Sequence, residues 1–289
     1  MSAVVTGYAS LDYTVTLDRA PEPDRTATVL SRASEFPRLG GSPAYVAAAM
    51  VAAGARDAAP VTWVGDDAEG QRYCAALETL GVRSDGVAIR PGRTPVCVLA
   101  YQPDGGCHCF YHPSLSEALL LDEGQRELVA VADMVCVTVG PETATREVLA
   151  AAAPHAILVW AVKADPRAVP PDLAAALAMR ADIVVSSRRE AGFVRDAFAR
   201  AGARRSPPIR IETRGGEGVA ILGESSEMLV SVETFEADDT TGAGDTFLGG
   251  FLAAWRAGGV ERAVESGVAA AGALLLRRTE KNMGEKSVG

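Results

Sequence analysis

The sequence predicts a doubly wound α/β fold, a mostly parallel sheet with helices on both faces. Three observations carry the expectation. From residue 123 onward, helical and extended patterns alternate with short connections. The extended stretches are continuous apolar runs, such as Ile157-Leu158-Val159-Trp160 and Ile183-Val184-Val185, as expected when helices cover both sheet faces. Finally, a polar cluster, Asp238-Asp239-Thr240-Thr241-Gly242-Ala243-Gly244-Asp245-Thr246, runs straight into Phe247, Leu248, Phe251, Leu252 and Trp255, the spacing of a buried helical face.

In chain order, Ala3 to Asp12 reads as a buried strand entering a polar turn, with Asp12 at its carboxyl end. Residues 13–39 alternate weakly and contain three prolines, so they read as short exposed strands. Gly40-Gly41-Ser42-Pro43 opens a helix to Ala53, with proline in its first turn. Val61–Val64 is a strand ending at Gly65-Asp66-Asp67, and Gly70–Leu80 is a helix closed by Gly81. Residues 94–112 are extended again, folded back at Pro103-Asp104-Gly105-Gly106. Then come helix 123–132, strand 134–139, helix 143–153, strand 156–162, helix 172–180, strand 182–187, helix 189–201 and strand 209–214. Val219–Leu222 and Met228–Val232 make a closing hairpin, the helix after Asp245 and another over Val260–Leu276 follow, and 277–289 reads as a loose tail. The whole chain, 1–289, is expected to be one domain. Two segments do not fit the parallel sheet, approximately 13–39 and 92–112; together they predict a small, discontinuous β lid over the carboxyl ends of the strands.

The cluster before Phe247 has its own chemistry. The first N–H groups of a helix lack partners within it and the positive end of the dipole faces outward. Glycines at 242 and 244 let those groups approach a ligand closely, which suits a phosphate. Asp245 stands where a carboxylate can take a proton from a nucleophile; helix capping alone would also use these residue types.

Composition narrows the classes. With 48% hydrophobic and 22% charged residues, the chain has the profile of a soluble globular protein. A net charge of −9 argues against a nucleic-acid partner, although it leaves room for a local nucleotide site. Five scattered cysteines argue against a disulfide framework and for a reducing compartment. The start lacks a signal-peptide pattern and no apolar stretch is long enough to span a bilayer, so a cytoplasmic protein with no membrane partner is expected. Neither G-x-x-x-x-G-K-[ST] nor G-x-G-x-x-G occurs, which counts against a P-loop ATPase and a dinucleotide-binding oxidoreductase.

Four motifs in order resemble those of the ribokinase-like, or PfkB, carbohydrate kinases. Asp239-Thr-Thr-Gly-Ala-Gly-Asp245 is similar to their C-terminal signature and Gly40-Gly41-Ser-Pro-Ala-Tyr45 to the N-terminal G-G-x-x-x-N. Gly65-Asp-Asp-Ala-Glu-Gly70 resembles G-x-D-x-x-G, and Thr213-Arg-Gly215-Gly-Glu-Gly218 matches T-x-G-x-x-G. The resemblance spans roughly residues 3–276. It implies a ribokinase-like fold and an ATP-dependent transfer of the γ-phosphoryl group to a hydroxyl of a sugar or sugar-like molecule. Asp245 would be the base, with the backbone of Gly242, Ala243 and Gly244 as the anion hole. Thr213, Gly215, Gly218 and Asp239 would lie on the ATP side, and Asp12, Gly40, Gly41 and Tyr45 on the acceptor side. Glu190 would serve Mg2+. A monovalent cation and a homodimer through the lid are implied as well.

Three departures bear on the acceptor and the nucleotide. Tyr45 replaces the usual Asn, exchanging an amide for a larger phenol with a single hydroxyl. Ser187 replaces the Asn of N-x-x-E, giving Ser187-Arg188-Arg189-Glu190. Arg277-Arg278-Thr279 replaces the Gly-Ala step at the adenine-side and monovalent-cation loop. A nucleoside or sugar-phosphate kinase, and a catalytically weak nucleotide- or sugar-binding protein, are the alternatives. Cys107-His108-Cys109 with His112 reads as lid rather than metal site. Arg188 and Arg189 read as solvated helix-start residues, and Asp66 and Asp67 as shapers of a strand-end turn. Lys163 lies on the ligand side of the sheet, with no role assigned.

Overall fold

A computed structural model of the chain describes residues 2–286 except 116–118, 205, 224–225 and 235–238, with the backbone alone at 256–257 and 280–286. In chain order the elements are β1 (Ala3–Thr6), β2 (Ser10–Leu17), β3 (Val29–Arg32), β4 (Arg38–Gly40), α1 (Ser42–Ala52), β5 (Ala58–Gly65), α2 (Ala68–Thr79) and β6 (Val87–Arg90). They continue with β7 (Val96–Tyr101), β8 (Cys107–His112), α3 (Glu123–Val131), β9 (Met134–Val137), α4 (Glu142–Ala151), β10 (Ile157–Ala161) and α5 (Pro171–Arg180). Last come β11 (Ile183–Ser187), α6 (Ala191–Ala201), β12 (Ile209–Thr213), β13 (Val219–Leu222), β14 (Glu227–Val230) and α7 (Ala243–Lys286).

The main sheet has nine strands in the order β14-β13-β12-β11-β10-β9-β1-β5-β6. Every pairing from β12 to β6 is parallel, and β13 and β14 close one edge antiparallel, so this is the doubly wound α/β fold the sequence predicts. Each face has its own core. On one, α1 and α7 pack together and onto the sheet through Val46, Met50, Phe247, Phe251 and Val264, with Tyr73 and Leu77 of α2. On the other, α3 to α6 cover Val135, Leu158, Trp160 and Val184. The inward side of α7 is an aromatic row: the Phe251 and Trp255 ring centroids lie 5.4 Å apart. Burying such rings is what anchors the N-terminus of α7 at the end of the sheet.

A second sheet orders its strands β3-β2-β7-β8, with β4 paired to β2. It is built from the two segments that the parallel pattern leaves over. Its register puts Asp12 opposite both Cys97 and Arg38, Thr14 opposite Leu99, and Thr16 opposite Tyr101; Leu99 in turn faces Cys109. Since side chains alternate across a sheet, these residues share one face. That face is turned inward, for Asp12, Thr14, Arg38, Cys97, Leu99 and Tyr101 are all buried.

Three expectations are corrected. The first strand stops at Thr6, so Asp12 sits on β2 of the second sheet rather than at the end of β1. Residues 10–17 are accordingly half core, not an exposed ribbon. The helix expected to end at Leu276 runs on to Lys286, so 277–286 is not loose; α7 breaks only at Gly258 and Gly259, where the backbone leaves helical angles. Among the described residues no helix is long and apolar enough to cross a membrane.

Candidate active site

The N-terminus of α7 is the centre of the site. Gly242 has a φ of +71°, and a β-carbon there would come within 2.8 Å of the Tyr45 ring, so only glycine fits between turn and ring. Gly244 is open, with nothing within 4 Å of such an atom. Of the three anion-hole candidates, Ala243 differs from expectation: its N–H donates to the Thr240 carbonyl oxygen at 3.1 Å. Among the described residues the N–H groups of Gly242 and Gly244 have no such turn or loop partner. Asp238 lies outside the described residues.

Asp245, the third residue of α7, is partly exposed. Desolvation pushes its carboxyl above the usual carboxylate range and the Glu190 charge adds to this, while a hydrogen bond from the Ser42 hydroxyl and the Lys163 ammonium oppose it. Those three neighbours come from three different elements or connections. Lys163 thus acquires the role that the sequence left blank: a positive charge facing the candidate base.

Asp12 supplies a second carboxylate. It is 4% exposed, Ser10 Oγ donates to its Oδ1 at 2.6 Å, and burial raises it, with the Asp245 and Asp239 charges adding while Ser10 and Arg38 oppose. A β-carbon on Gly40 would lie 2.1 Å from Asp12 Oδ1, so glycine there makes room for the carboxylate. Gly41, at a φ of +83°, turns β4 into α1. Asp12, Gly40, Gly41 and Asp245 are thus brought together. Tyr45 joins them by packing on Gly242; its hydroxyl is buried, has no hydrogen-bond partner among the described residues, and is shifted upward by burial.

Asp239 is placed differently from expectation. Its Oδ2 accepts from Arg38 at 2.7 Å and its Oδ1 accepts from the Thr241 N–H at 3.0 Å, with Arg278 3.5 Å away. Arg278 also donates to the Thr241 carbonyl. Burial works against the Asp239 charge, but Arg38 and Arg278 outweigh it and hold the carboxyl below its ordinary range. The residue therefore clamps the loop before Gly242. Tyr101 adds a 2.8 Å hydrogen bond to the Thr241 hydroxyl from the second sheet. Sequence reasoning missed Arg38, which no motif marks. It noted Arg278 only as a departure. Beside the clamp is a cavity of about 490 Å³ lined by Arg32, Arg38, Tyr45, Asp239, Arg277 and Arg278.

The nucleotide-side candidates lie along neighbouring strand ends, where Thr213 is in register with Ser187. Gly215 (φ +58°) and Gly218 (φ +112°) form the turn that follows, and a β-carbon on Gly218 would strike the Val230 carbonyl at 2.4 Å. Arg188 reaches across to Glu217 of that turn at 2.7 Å. Glu190 accepts from the Ser187 N–H (2.8 Å) and hydroxyl (2.9 Å) through one oxygen, so Ser187 acts as a cap for the segment. Asp67 caps α2 through the Gly70 N–H at 2.9 Å and also binds Thr94, and Asp66 accepts from Gly92, tying the end of β5 to the connection before β7. No group of three potential metal ligands occurs among the described residues.

The model of the pfkB family of carbohydrate kinases matches residues 3–284. An ATP-dependent ribose-1-phosphate kinase of Halopiger xanaduensis is 32% identical over 263 residues, 90% of this chain and 86% of that protein. Among solved structures, the ribokinase of Cryptococcus neoformans in complex with ADP superposes with a TM-score of 0.76 at 21% identity, over 94% of this chain and 92% of that one. The adenosine kinase of Sinorhizobium meliloti gives 0.75 at 20% identity, over 95% and 93%.

Proposed function

The chain belongs to the PfkB family of carbohydrate kinases and is an ATP-dependent phosphotransferase acting on a sugar-like substrate, and we propose that its acceptor is a sugar phosphate of the ribose 1-phosphate type, with Asp245 as the base. The observation that carries the base assignment is Asp245 at the mouth of α7, raised in pKa and beside the open Gly244 backbone. Asp245 takes the proton of the acceptor hydroxyl as that oxygen attacks the γ-phosphorus. The N–H groups of Gly242 and Gly244 meet the charge that develops on the transferred group, where fixed dipoles need no reorganisation. Asp12 has one oxygen committed to Ser10 and offers the other to a sugar hydroxyl, and Gly40 leaves room for it. The second sheet acts as the lid, with Arg38 and Tyr101 tying it to the transfer loop.

Mg2+ fits this chain at Glu190, whose second carboxylate oxygen has no hydrogen-bond partner among the described residues and whose charge is felt at Asp245. When bound, magnesium supplies charge neutralisation on the nucleotide phosphates. A monovalent cation does not fit. Residues 277–279 are helical, so their carbonyls are spent on intrahelical bonds, and the Arg278 guanidinium already lies against Asp239 and the Thr241 carbonyl. The outer face of the lid exposes Val98 and Phe110, opposite one another in register, and β3 and β8 are its free edges, which supports a homodimer through the lid.

The acceptor is tested by ADP release with ribose 1-phosphate, ribose and adenosine offered separately. The reading expects the highest kcat/KM with ribose 1-phosphate. A preference for adenosine would replace it with nucleoside phosphorylation, a reading that the S. meliloti neighbour brings with it.

A further inference from the structure

The inward face of the lid carries a thiol pair that the transfer reaction does not use. Cys97 on β7 and Cys109 on β8 bring their sulfur atoms to 3.3 Å. Cys97 is in register with Asp12, so the pair adjoins the acceptor-side carboxylate. Cys97 is 6% exposed, whereas Cys109 is open to solvent. The two thiols are unequal as well as close. Cys109 is lowered to about 7, first by the hydrogen bond from Cys97 and then by the Lys163 ammonium, with burial opposing. Cys97 is pushed upward by that same hydrogen bond and by burial. An exposed, more acidic thiol beside a buried one is the arrangement of an attacking and a resolving cysteine.

We propose that Cys97 and Cys109 form a reversible modification site, in which a hydroperoxide oxidises them to a disulfide on the inner face of the lid. The Cys109 thiolate attacks the peroxide, breaking the O–O bond to give a sulfenic acid and hydroxide. The Cys97 sulfur then attacks the sulfenic sulfur, its proton leaving with the displaced oxygen as water. Two thiols and one hydrogen peroxide thus become one disulfide and two waters. The sulfurs close from 3.3 Å to about 2.05 Å, which pulls β8 toward β7 next to Asp12. The other thiols stand apart from this chemistry: Cys136 is buried in the main sheet and Cys74 lies on α2. Cys107 shares the face but points its sulfur at the His108 carbonyl, 3.7 Å away.

The test treats the full-length protein with hydrogen peroxide, traps remaining thiols by alkylation and maps the peptides. Loss of two hydrogens, with Cys97 and Cys109 both protected and released again by dithiothreitol, is expected for wild type and for Cys107→Ser. Cys97→Ser should form no bridge and accumulate oxidised Cys109. Alkylation of Cys97 and Cys109 after peroxide, or a bridge through Cys107, would overturn the proposal. Its effect on turnover rests on the kinase reading: the oxidised enzyme should show a KM for the acceptor raised by about tenfold, since small displacements beside a binding group are costly. A bridge that leaves KM unchanged would overturn that effect. Absence of turnover in the reduced protein would instead count against the kinase reading, while the mass measurement still decides the thiol chemistry.

Discussion

At Asp245 the decisive quantity is the balance between burial and the groups that oppose it. Desolvation raises this carboxyl, and the Ser42 hydroxyl and then the Lys163 ammonium pull it back. A base works when ionised, so turnover falls as pH drops through its pKa, and a raised pKa puts that acid limb above the ordinary carboxylate range. Lys163→Met removes the stabilising charge, so the limb should move to higher pH in a kcat/KM profile; an unmoved limb would show that Lys163 does not act on the base. Tyr45 makes a separate prediction. Its hydroxyl is buried without a partner, and an unsatisfied buried group costs about 1–3 kcal/mol. Tyr45→Phe should therefore melt no lower than wild type, whereas a lower melting temperature would reveal a partner for that hydroxyl. The placement of Gly242, Gly244 and Asp245 at the mouth of a helix was legible in the sequence because density of type and the apolar face behind them are local signals. Asp239 was legible only as a motif residue. Its partner Arg38 is 201 positions away and marked by no motif, so its true contact could not be read.

At the level of elements, β4, the transfer loop and the end of α7 meet in one charged cluster. Arg38, Asp239 and Arg278 side chains are 9%, 12% and 13% exposed, low enough that a lost partner leaves a charge uncompensated. Removing one member of such a cluster typically costs about 3–5 kcal/mol. Arg278→Ala should thus lower stability in urea unfolding and also depress kcat, because the Thr241 carbonyl loses its donor. Turnover of the wild type should not depend on potassium when ionic strength is held constant; a strong dependence would mean that a cation finds oxygen ligands in spite of Arg278. Element types and order follow from periodicity, as the β10 to β12 run illustrates. Their ends do not: α7 continues past Leu276 because nothing in Arg277-Arg278-Thr279 breaks a helix, and tertiary contact through Arg278 holds it there.

Across the whole molecule, two sheets share the work. The nine-stranded sheet, with the cores on its two faces, fixes α7, Thr213 and Glu190 at one end. The second sheet carries Asp12, Arg38 and Tyr101 to the same place. The parallel sheet was legible from Val/Ile runs, and a second small sheet from what those runs left over. The register of that second sheet was not, because weak alternation specifies pairing poorly; this is why Asp12 was expected on the wrong strand and the Cys97–Cys109 contact was not foreseen. The central claim joins both sheets at one carboxylate. It is tested most directly by comparing acceptor-dependent ADP release by wild type and Asp245→Asn, with nucleotide affinity measured in parallel. Loss of turnover by about 10²–10⁴-fold with nucleotide binding retained is the predicted result. Turnover within a few-fold of wild type in the variant would contradict the account.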